Sequence, residues 1–211
     1  MGNRPSPLRP FPRHHGALMA HPHRHLFVDR SSHGFGHLAQ TAPVLNRLAV
    51  LQPGLRLTLR SGLAAERLKQ RIVPPFDLIA EASDFGYRMI DALRIDHAAT
   101  AAAYRSASAD FSRMVERDAQ LIQELRADAV FANVSYVPLA GAARAGIPAV
   151  AMCSLNWADL FLYYFGHESW AAPIHAPINM RWRPRSTRCW SGRPSTSCRG
   201  GWRHGATSMP R

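Results

Sequence analysis

The sequence has few cysteines and no long apolar segment. Its three cysteines, Cys153, Cys189 and Cys198, form no CxxC pair, so neither a disulfide framework nor a metal site is indicated. No stretch approaches the ~20 apolar residues that a membrane-spanning helix needs, and the proline-rich N-terminus lacks the apolar core of a signal peptide. These absences favour a protein of the reducing cytoplasm without a transmembrane segment.

Acidic residues are absent from both ends of the chain. Residues 1–24 and 181–211 carry four and eight arginines without one Asp or Glu, and these twelve account for the net charge of +12. Residues 25–180 balance 14 basic side chains against 14 acidic ones. A basic protein often binds nucleic acid, but this balanced middle argues against a specific nucleic-acid site. Non-specific binding through the two basic arms stays as an alternative.

Residues 181–211 also lack Leu, Ile, Val and Phe, although they hold three of the five tryptophans. Because such a segment cannot build a hydrophobic core, we expect a disordered basic tail over residues 179–211. Its Arg, Trp, Ser, Gly, Pro and Cys content is typical of a GC-rich gene translated out of frame. A natural disordered tail is the alternative, and translating the source DNA in the other two frames distinguishes them. Residues 1–24, rich in Pro, Arg and His, are expected to be a disordered extension.

Between the two ends, short apolar strands alternate with amphipathic helices. Strands are expected over Leu26–Val28, Leu55–Leu59, Phe76–Ala80, Asp128–Val134 and Pro148–Cys153. Helices are expected over Leu38–Leu51, Ala64–Ile72, His97–Arg126 and Pro138–Ala145. This alternation predicts one α/β domain over residues 25–178, a doubly wound, Rossmann-like parallel sheet. Ligands of such sheets bind at the carboxyl ends of the strands.

The loop between the first strand and the first helix carries two histidines and two glycines, in the order Ser31-Ser32-His33-Gly34-Phe35-Gly36-His37. Glycines let a ligand approach the backbone, and free N–H groups at the helix start attract a phosphate or a developing anion. The loop is therefore predicted to bind a ligand. His37 is placed to act as a general base, because imidazole can take a proton from a sugar hydroxyl near neutral pH. Local capping or packing is the alternative for both histidines.

The same loop supports a second interpretation. Gly34-x-Gly36-x-x-Ala39 satisfies the dinucleotide-binding pattern, and Arg60 near the end of the second strand could meet a 2′-phosphate. In that fold the first glycine directly follows the strand, whereas five residues intervene here, and bulky Phe35 and His37 crowd the pyrophosphate position. An NADP-binding oxidoreductase domain is therefore kept only as an alternative.

Several segments together resemble a known family. They are SHGFGHLAQTAPVLNRL, ASDFG, DALRIDHAATAAAY, RADAVFANVSYVPLAGAARAGIPAV and NWADLFLYY, in this order. Over roughly residues 25–170 they resemble the N-terminal half of GT-B glycosyltransferases. The resemblance is strongest to bacterial glycosyltransferase-like proteins with a GHGFGH loop, and it extends to the related half of plant arabinose kinases.

The resemblance implies a two-domain enzyme whose N-terminal domain binds a small-molecule or glycan acceptor. The C-terminal domain of the family binds a nucleotide-sugar, which is a co-substrate, and no further cofactor is expected. His37 matches the histidine that deprotonates the acceptor hydroxyl in inverting members. We expect that the donor domain is missing from this chain and that the 211-residue chain alone transfers no sugar.

Further site residues are expected where strands end. Asn133, Ser135, Asn156 and Trp157 follow strands and are predicted to line the acceptor cleft, with Trp157 either stacking on a sugar face or packing in the core. The family often has a Ser-Asp pair after the fourth strand, which this chain lacks. Asp84 is a possible substitute as the acidic partner of the base, and a solvated loop aspartate is the alternative.

Overall fold

The protein is represented by a computed structural model that describes residues 24–31, 33–84, 86–91, 93–155, 157–180 and 187–190. Strands and helices alternate along this part of the chain. The strands are β1 (His25–Arg30), β2 (Arg56–Arg60), β3 (Asp77–Ile79), β4 (Ala129–Asn133), β5 (Ala149–Met152) and β6 (Thr187–Trp190). The helices are α1 (Gly36–Leu51), α2 (Ala65–Lys69), α3 (His97–Ala109), α4 (Phe111–Glu124), α5 (Val137–Ala145), α6 (Trp157–Phe165) and α7 (Ala171–Met180).

The strands form one parallel sheet in the order β3-β2-β1-β4-β5-β6. This order confirms the predicted doubly wound, Rossmann-like α/β fold. The chain moves outward from β1 to β3, returns to pair β4 with β1, and then moves outward on the other side. The strand order reverses between β1 and β4, and at such a switch point a ligand-binding crevice is expected outside the carboxyl ends of the two strands.

The sheet is buried on both faces because each central strand sends alternate side chains to opposite sides. Val28 packs in a cluster with Leu38 and Leu45 of α1, whereas its neighbour Phe27 packs in a cluster with Ile122 of α4 and Leu139 of α5. Both β1 side chains are fully buried. Strands of this kind read as continuous apolar runs, which is why β1 is recognisable in the sequence.

A third, aromatic cluster lies at the carboxyl end of the sheet. Tyr136 and Trp157 lie three and five residues after the ends of β4 and β5, and they pack with aromatic residues of α3, α6 and the segment before α3. The cluster members are Tyr87, Tyr104, Val134, Tyr136, Val137, Trp157, Ala158, Phe161, Phe165, Ala171, Ile174 and Ile178. The cluster joins α3, α6 and α7 to the edge of the sheet where a ligand is expected.

The long helix predicted over His97–Arg126 is two helices. α3 ends and α4 begins at Asp110, whose backbone has φ −95° and ψ 0°. Ser106, Ser108 and Asp110 lie within five residues of one another, and such short polar side chains compete with the helix for backbone hydrogen bonds. Phe111 then stacks against Tyr136 at a ring distance of 6.1 Å.

The expected disordered ends fall mostly outside the described residues. Arg24 is the one described residue of the 1–24 extension, and the described part of the 179–211 tail comprises the end of α7 and β6. Disorder at both ends therefore stays a prediction. Among the described residues, each helix is too short or too polar for a membrane crossing.

Candidate functional site

The candidate site lies in the crevice between the carboxyl ends of β1 and β4. The loop after β1 is joined to the end of β4 by a hydrogen bond from Ser31 N–H to the carbonyl of Asn133, 3.1 Å long. α1 starts at Gly36, so that His37 lies in its first turn beside Asn133. The topology thus brings together residues that are almost 100 positions apart.

His37 is nearly buried, with 6% of its surface exposed. Its Nδ1 lies 3.0 Å from Oδ1 of Asn133, and its ring contacts Trp157 edge-on. Burial lowers the pKa of His37; the Asn133 hydrogen bond opposes this shift, while nearby Arg30 and His33 add to it. The imidazole is therefore neutral near pH 7, which is the form that accepts a proton.

Arg30 ends β1 and lies beneath the loop with 1% of its surface exposed. Its Nη1 donates to Oγ of Ser61 over 2.9 Å, and its Nη2 donates to the carbonyl of Gly34 over 3.2 Å. Burial lowers the pKa of Arg30 to about 10, although Asp84 and Asp29 oppose the shift. The side chain remains a cation near neutral pH, and it holds the glycine loop in place from below.

The start of α1 is open to an anion. No side-chain hydrogen bond caps this helix within the described residues, and its first turn contains no acid. Gly34 has φ +79°, a conformation that favours glycine, and no atom lies within 4 Å of the position that a Cβ would occupy there or at Gly36. Together with the helix dipole and the buried Arg30, this geometry favours a phosphate or another anion at the loop.

Trp157 and Asp84 form a pair beside the loop. The indole Nε1 of Trp157 donates to Oδ2 of Asp84 over 2.7 Å, and Trp157 is only 2% exposed. Its ring meets His33 edge-on at 5.5 Å and Tyr87 at 5.7 Å. Trp157 therefore packs in the aromatic cluster and does not offer a face to a sugar in this structure. Among the described residues, the side chain that bonds to the His37 ring is the amide of Asn133.

His33 completes the wall of the loop. Burial lowers its pKa, as it does for His37. Its ring approaches Gly86 so closely that a Cβ there would lie 2.9 Å from Cγ of His33. Gly86 also has φ +57°, so both its backbone and the available space require glycine. The segment before α3 is thereby held against the loop after β1.

The remaining predicted residues lie below the surface, on the rim of the loop or outside the described part. Asn133 and Ser135 are fully buried, so they support the crevice from beneath instead of lining its surface. Among the described residues, no hydrogen-bond partner reaches Oγ of Ser135. Phe35 is 62% exposed at the rim of the loop. Asn156 lies outside the described residues.

Val134 has an unusual backbone conformation. It follows Asn133 with φ +70°, and it is fully buried while its N–H donates to the carbonyl of Met152 over 3.1 Å. A β-branched residue in the left-handed region is strained, typically by about 1–3 kcal/mol. Strain of this kind concentrates at functional sites, and here it occurs directly at the crevice.

Arg60 is not available for a 2′-phosphate. It is 1% exposed, and its Nε donates to Asp29 while Nη1 and Nη2 donate to both carboxylate oxygens of Asp118 over 2.7 and 2.6 Å. Burial lowers the pKa of Arg60, but the two aspartates outweigh this and raise the pKa above its ordinary value. The geometry therefore disagrees with the NADP-binding interpretation, which depended on a free Arg60.

Comparison with solved structures gives likenesses to glycosyltransferases. The calicheamicin glycosyltransferase CalG4 shares 18% identity and a TM-score of 0.48, over 73% of this chain and 40% of that chain. The glycotransferase of kitacinnamycin shares 15% identity and a TM-score of 0.44, over 79% of this chain and 45% of that chain. MurG of Acinetobacter baumannii shares 19% identity and a TM-score of 0.38, over 62% of this chain and 35% of that chain.

These TM-scores and identities are too low to establish a shared activity. The chain spans less than half the length of each of the three solved chains. No family model and no curated protein matches the sequence. The chemistry of the site is therefore argued from its own residues.

Those residues supply a neutral imidazole, a buried guanidinium and an uncapped helix start. Such a set can accept a proton beside a bound anion. Among the described residues, no cluster of three or more His, Cys, Asp or Glu side chains could hold a metal ion.

Sequence reasoning missed Arg30 and the ion pairs of Arg60. A signal for both is present, because β1 and β2 end in charged residues, Asp29-Arg30 and Arg60, after apolar runs. Charged side chains at the carboxyl ends of central parallel strands are either paired or at a site. Whether Arg60 is paired or free depends on Asp118, which lies 58 residues later, so the sequence around Arg60 cannot show it.

Proposed function

We propose that the chain is the acceptor-binding half of a GT-B-type glycosyltransferase, which moves a sugar from a nucleotide-sugar to an acceptor hydroxyl. The observation that carries this proposal is His37, a neutral and nearly buried imidazole at the switch point of the sheet, beside an anion-favouring helix start. A base beside an anion site suits deprotonation of a hydroxyl next to a diphosphate leaving group. The sequence resemblance around the loop supports the same role.

In this mechanism, Nε2 of His37 takes the proton of the acceptor hydroxyl as its oxygen attacks the anomeric carbon. The bond from that carbon to the diphosphate oxygen breaks, and the diphosphate leaves with the electron pair. The start of α1 and Arg30 favour negative charge at the loop. The nucleotide is bound by the donor half, so a chain without that half should not turn over.

The first test uses the 211-residue chain with UDP-glucose and other nucleotide-sugars and a panel of sugar and phenolic hydroxyl acceptors. Mass spectrometry should detect no transferred sugar. Transfer by the chain alone would contradict the half-enzyme proposal.

The second test translates the source DNA downstream of codon 179 in every frame. We expect one frame to encode a further α/β domain with a glycine-rich loop, and the frame-restored protein to transfer sugar. His37→Ala should then lower kcat by about 10²–10⁴-fold, as loss of a general base does. His167→Ala, which changes an exposed histidine, is the matched control and should retain activity. A missing domain in all frames, or full activity in His37→Ala, would refute the proposal.

A further inference from the structure

Asn133 is the residue whose side chain bonds to the ring of His37. No carboxylate bonds to that histidine among the described residues. Asn133 ends β4, is fully buried, and places its Oδ1 3.0 Å from Nδ1 of His37. The orientation of the Asn133 amide determines which of the two imidazole nitrogens carries the proton.

The orientation of the Asn133 amide is fixed by three acceptors. Its Nδ2 lies 3.0 Å from Oγ1 of Thr41, 3.3 Å from Oε1 of Gln40 and 3.4 Å from the carbonyl of His37. The Thr41 hydroxyl donates its own proton to the His37 carbonyl over 2.7 Å, so toward Asn133 it can only accept. A flipped amide would place an oxygen against these acceptors, at the cost of several buried hydrogen bonds.

The fixed amide determines the tautomer of His37. Because Oδ1 of Asn133 can only accept, Nδ1 of His37 must donate, and the neutral imidazole then has its lone pair on Nε2. Gln40 extends the network, since its Nε2 donates to Oγ of Ser154 after β5 over 2.9 Å. The network therefore connects the ends of β4 and β5 to the first two turns of α1.

We propose that Asn133 is a positioning residue that holds His37 in the Nδ1–H tautomer and so makes Nε2 the nitrogen that accepts the substrate proton. This inference rests on the proposed function for its catalytic meaning, but the tautomer itself is a property of the free chain. An amide accepts the Nδ1–H bond without carrying charge, so it orients the ring without strongly stabilising the imidazolium. The groups whose positive charge lowers the pKa of His37 are Arg30 and, when it is protonated, His33, and the nearby carboxylate of Asp84 accepts from Trp157.

The direct experiment is long-range ¹H–¹⁵N NMR of the full chain labelled with ¹⁵N-histidine, near neutral pH. Wild type should show a protonated Nδ1 and an unprotonated Nε2 for His37. The opposite pattern in wild type would overturn the inference without any variant. The His37 resonances are assigned by their loss in His37→Gln.

Two variants test the cause. Asn133→Ala removes the acceptor, so the tautomer should move toward the Nε2–H form that an imidazole without local partners prefers. Asn133→Asp keeps an acceptor and adds charge, so Nδ1 should stay protonated while the titration midpoint of His37 rises by about one pH unit or more. Asn46→Ala is the matched control, because Asn46 is a half-buried amide of α1 that bonds to the backbone of Arg71 and Val73 and not to His37.

An unchanged tautomer in Asn133→Ala would refute the inference, as would an unchanged or lowered midpoint in Asn133→Asp. If the alanine variant does not fold, the aspartate variant and the wild-type spectrum still test whether Asn133 sets the tautomer of His37. The spectrum does not depend on sugar transfer. An Nδ1–H tautomer in a protein whose frame-restored form transfers no sugar would therefore refute the proposed function and leave the role of Asn133 intact.

Discussion

The buried guanidinium of Arg60 connects two elements that are far apart in the sequence. It bonds Asp29 at the end of β1 and Asp118 in the middle of α4, and Asp29 also accepts from the hydroxyl of Ser83 over 2.6 Å. All three ionised side chains are almost completely buried. Buried charges of this kind are tolerable only while each is paired.

Removing Arg60 should therefore be costly. Arg60→Ala leaves two buried carboxylates without their cation, and we expect the free energy of unfolding to fall by about 3–5 kcal/mol. The control is Arg144→Ala, which removes a largely exposed pair with Glu116 and should cost no more than about 1 kcal/mol. Urea unfolding followed by circular dichroism compares them. An equal loss of unfolding free energy in the two variants would show that the burial of Arg60 does not explain the cost of removing it.

Histidines whose pKa is lowered in the folded chain should make stability depend on pH. Burial is the main cause that lowers the pKa of His25, His33 and His37 from its ordinary value of 6.5. Below that value the unfolded chain binds protons that the folded chain resists, so the stabilisation is complete above about pH 6.5 and declines as the pH falls toward the lowered values. We expect a lower urea midpoint at about pH 5.5 than at about pH 7.5, and a smaller difference in His37→Gln. Identical midpoints would contradict this.

At the scale of elements, α4 and α5 pack with little tolerance for added volume. A Cβ on Gly141 of α5 would lie 2.6 Å from Cβ of Asp118 and 3.0 Å from the backbone of Ala119. Gly141→Ala should separate the helices, disturb the Arg60–Asp118 pair and lower stability by about 1–3 kcal/mol. Gly36→Ala is the control, since no atom lies within 4 Å of its Cβ position and α1 should tolerate or gain from alanine. Thermal unfolding of both variants measures the contrast, and a stable Gly141→Ala would show that the helices can shift freely.

The elements that the sequence predicts well are those with local signals. β1, β2, β4 and β5 are short apolar runs, and Gly146 ends α5 with φ +73° as a left-handed C-cap. The break at Asp110 is missed because the apolar period continues through it. α6 is missed because the run from Leu160 to Phe165 is apolar on every side and has no clear period. α7 is missed because it has Pro177 in its interior, where proline disfavours a helix.

The candidate site is predictable only in part for the same reason. His37 at the start of α1 follows from the loop pattern, which is local. Its pairing with Asn133 depends on the register of β1 and β4, where Arg30 is opposite Asn133. The burial of Trp157 depends on α6 and the segment around Tyr87. No pattern within one segment can show these contacts.

At the scale of the whole molecule, the crevice is built from both halves of the sheet. β1 contributes Arg30 and the loop, while β4 contributes Asn133 and the strained Val134. The aromatic cluster holds α3, α6 and α7 against the same edge. Because Trp157 belongs to this cluster and contacts the His37 ring, a substitution elsewhere in the cluster should shift the position of that ring.

The pairing of β1 with β4 also sets the order of events during synthesis. Phe27 lies opposite Val130, so β1 leaves the ribosome about a hundred residues before its second partner exists. At a synthesis rate of ~5–20 residues per second, the backbone groups of β1 that face β4 stay unpaired for several seconds. Contacts of such long separation form slowly, because the loop must close before they stabilise anything. The His37–Asn133 bond forms only after that closure, so the tautomer of the candidate base is a late product of folding.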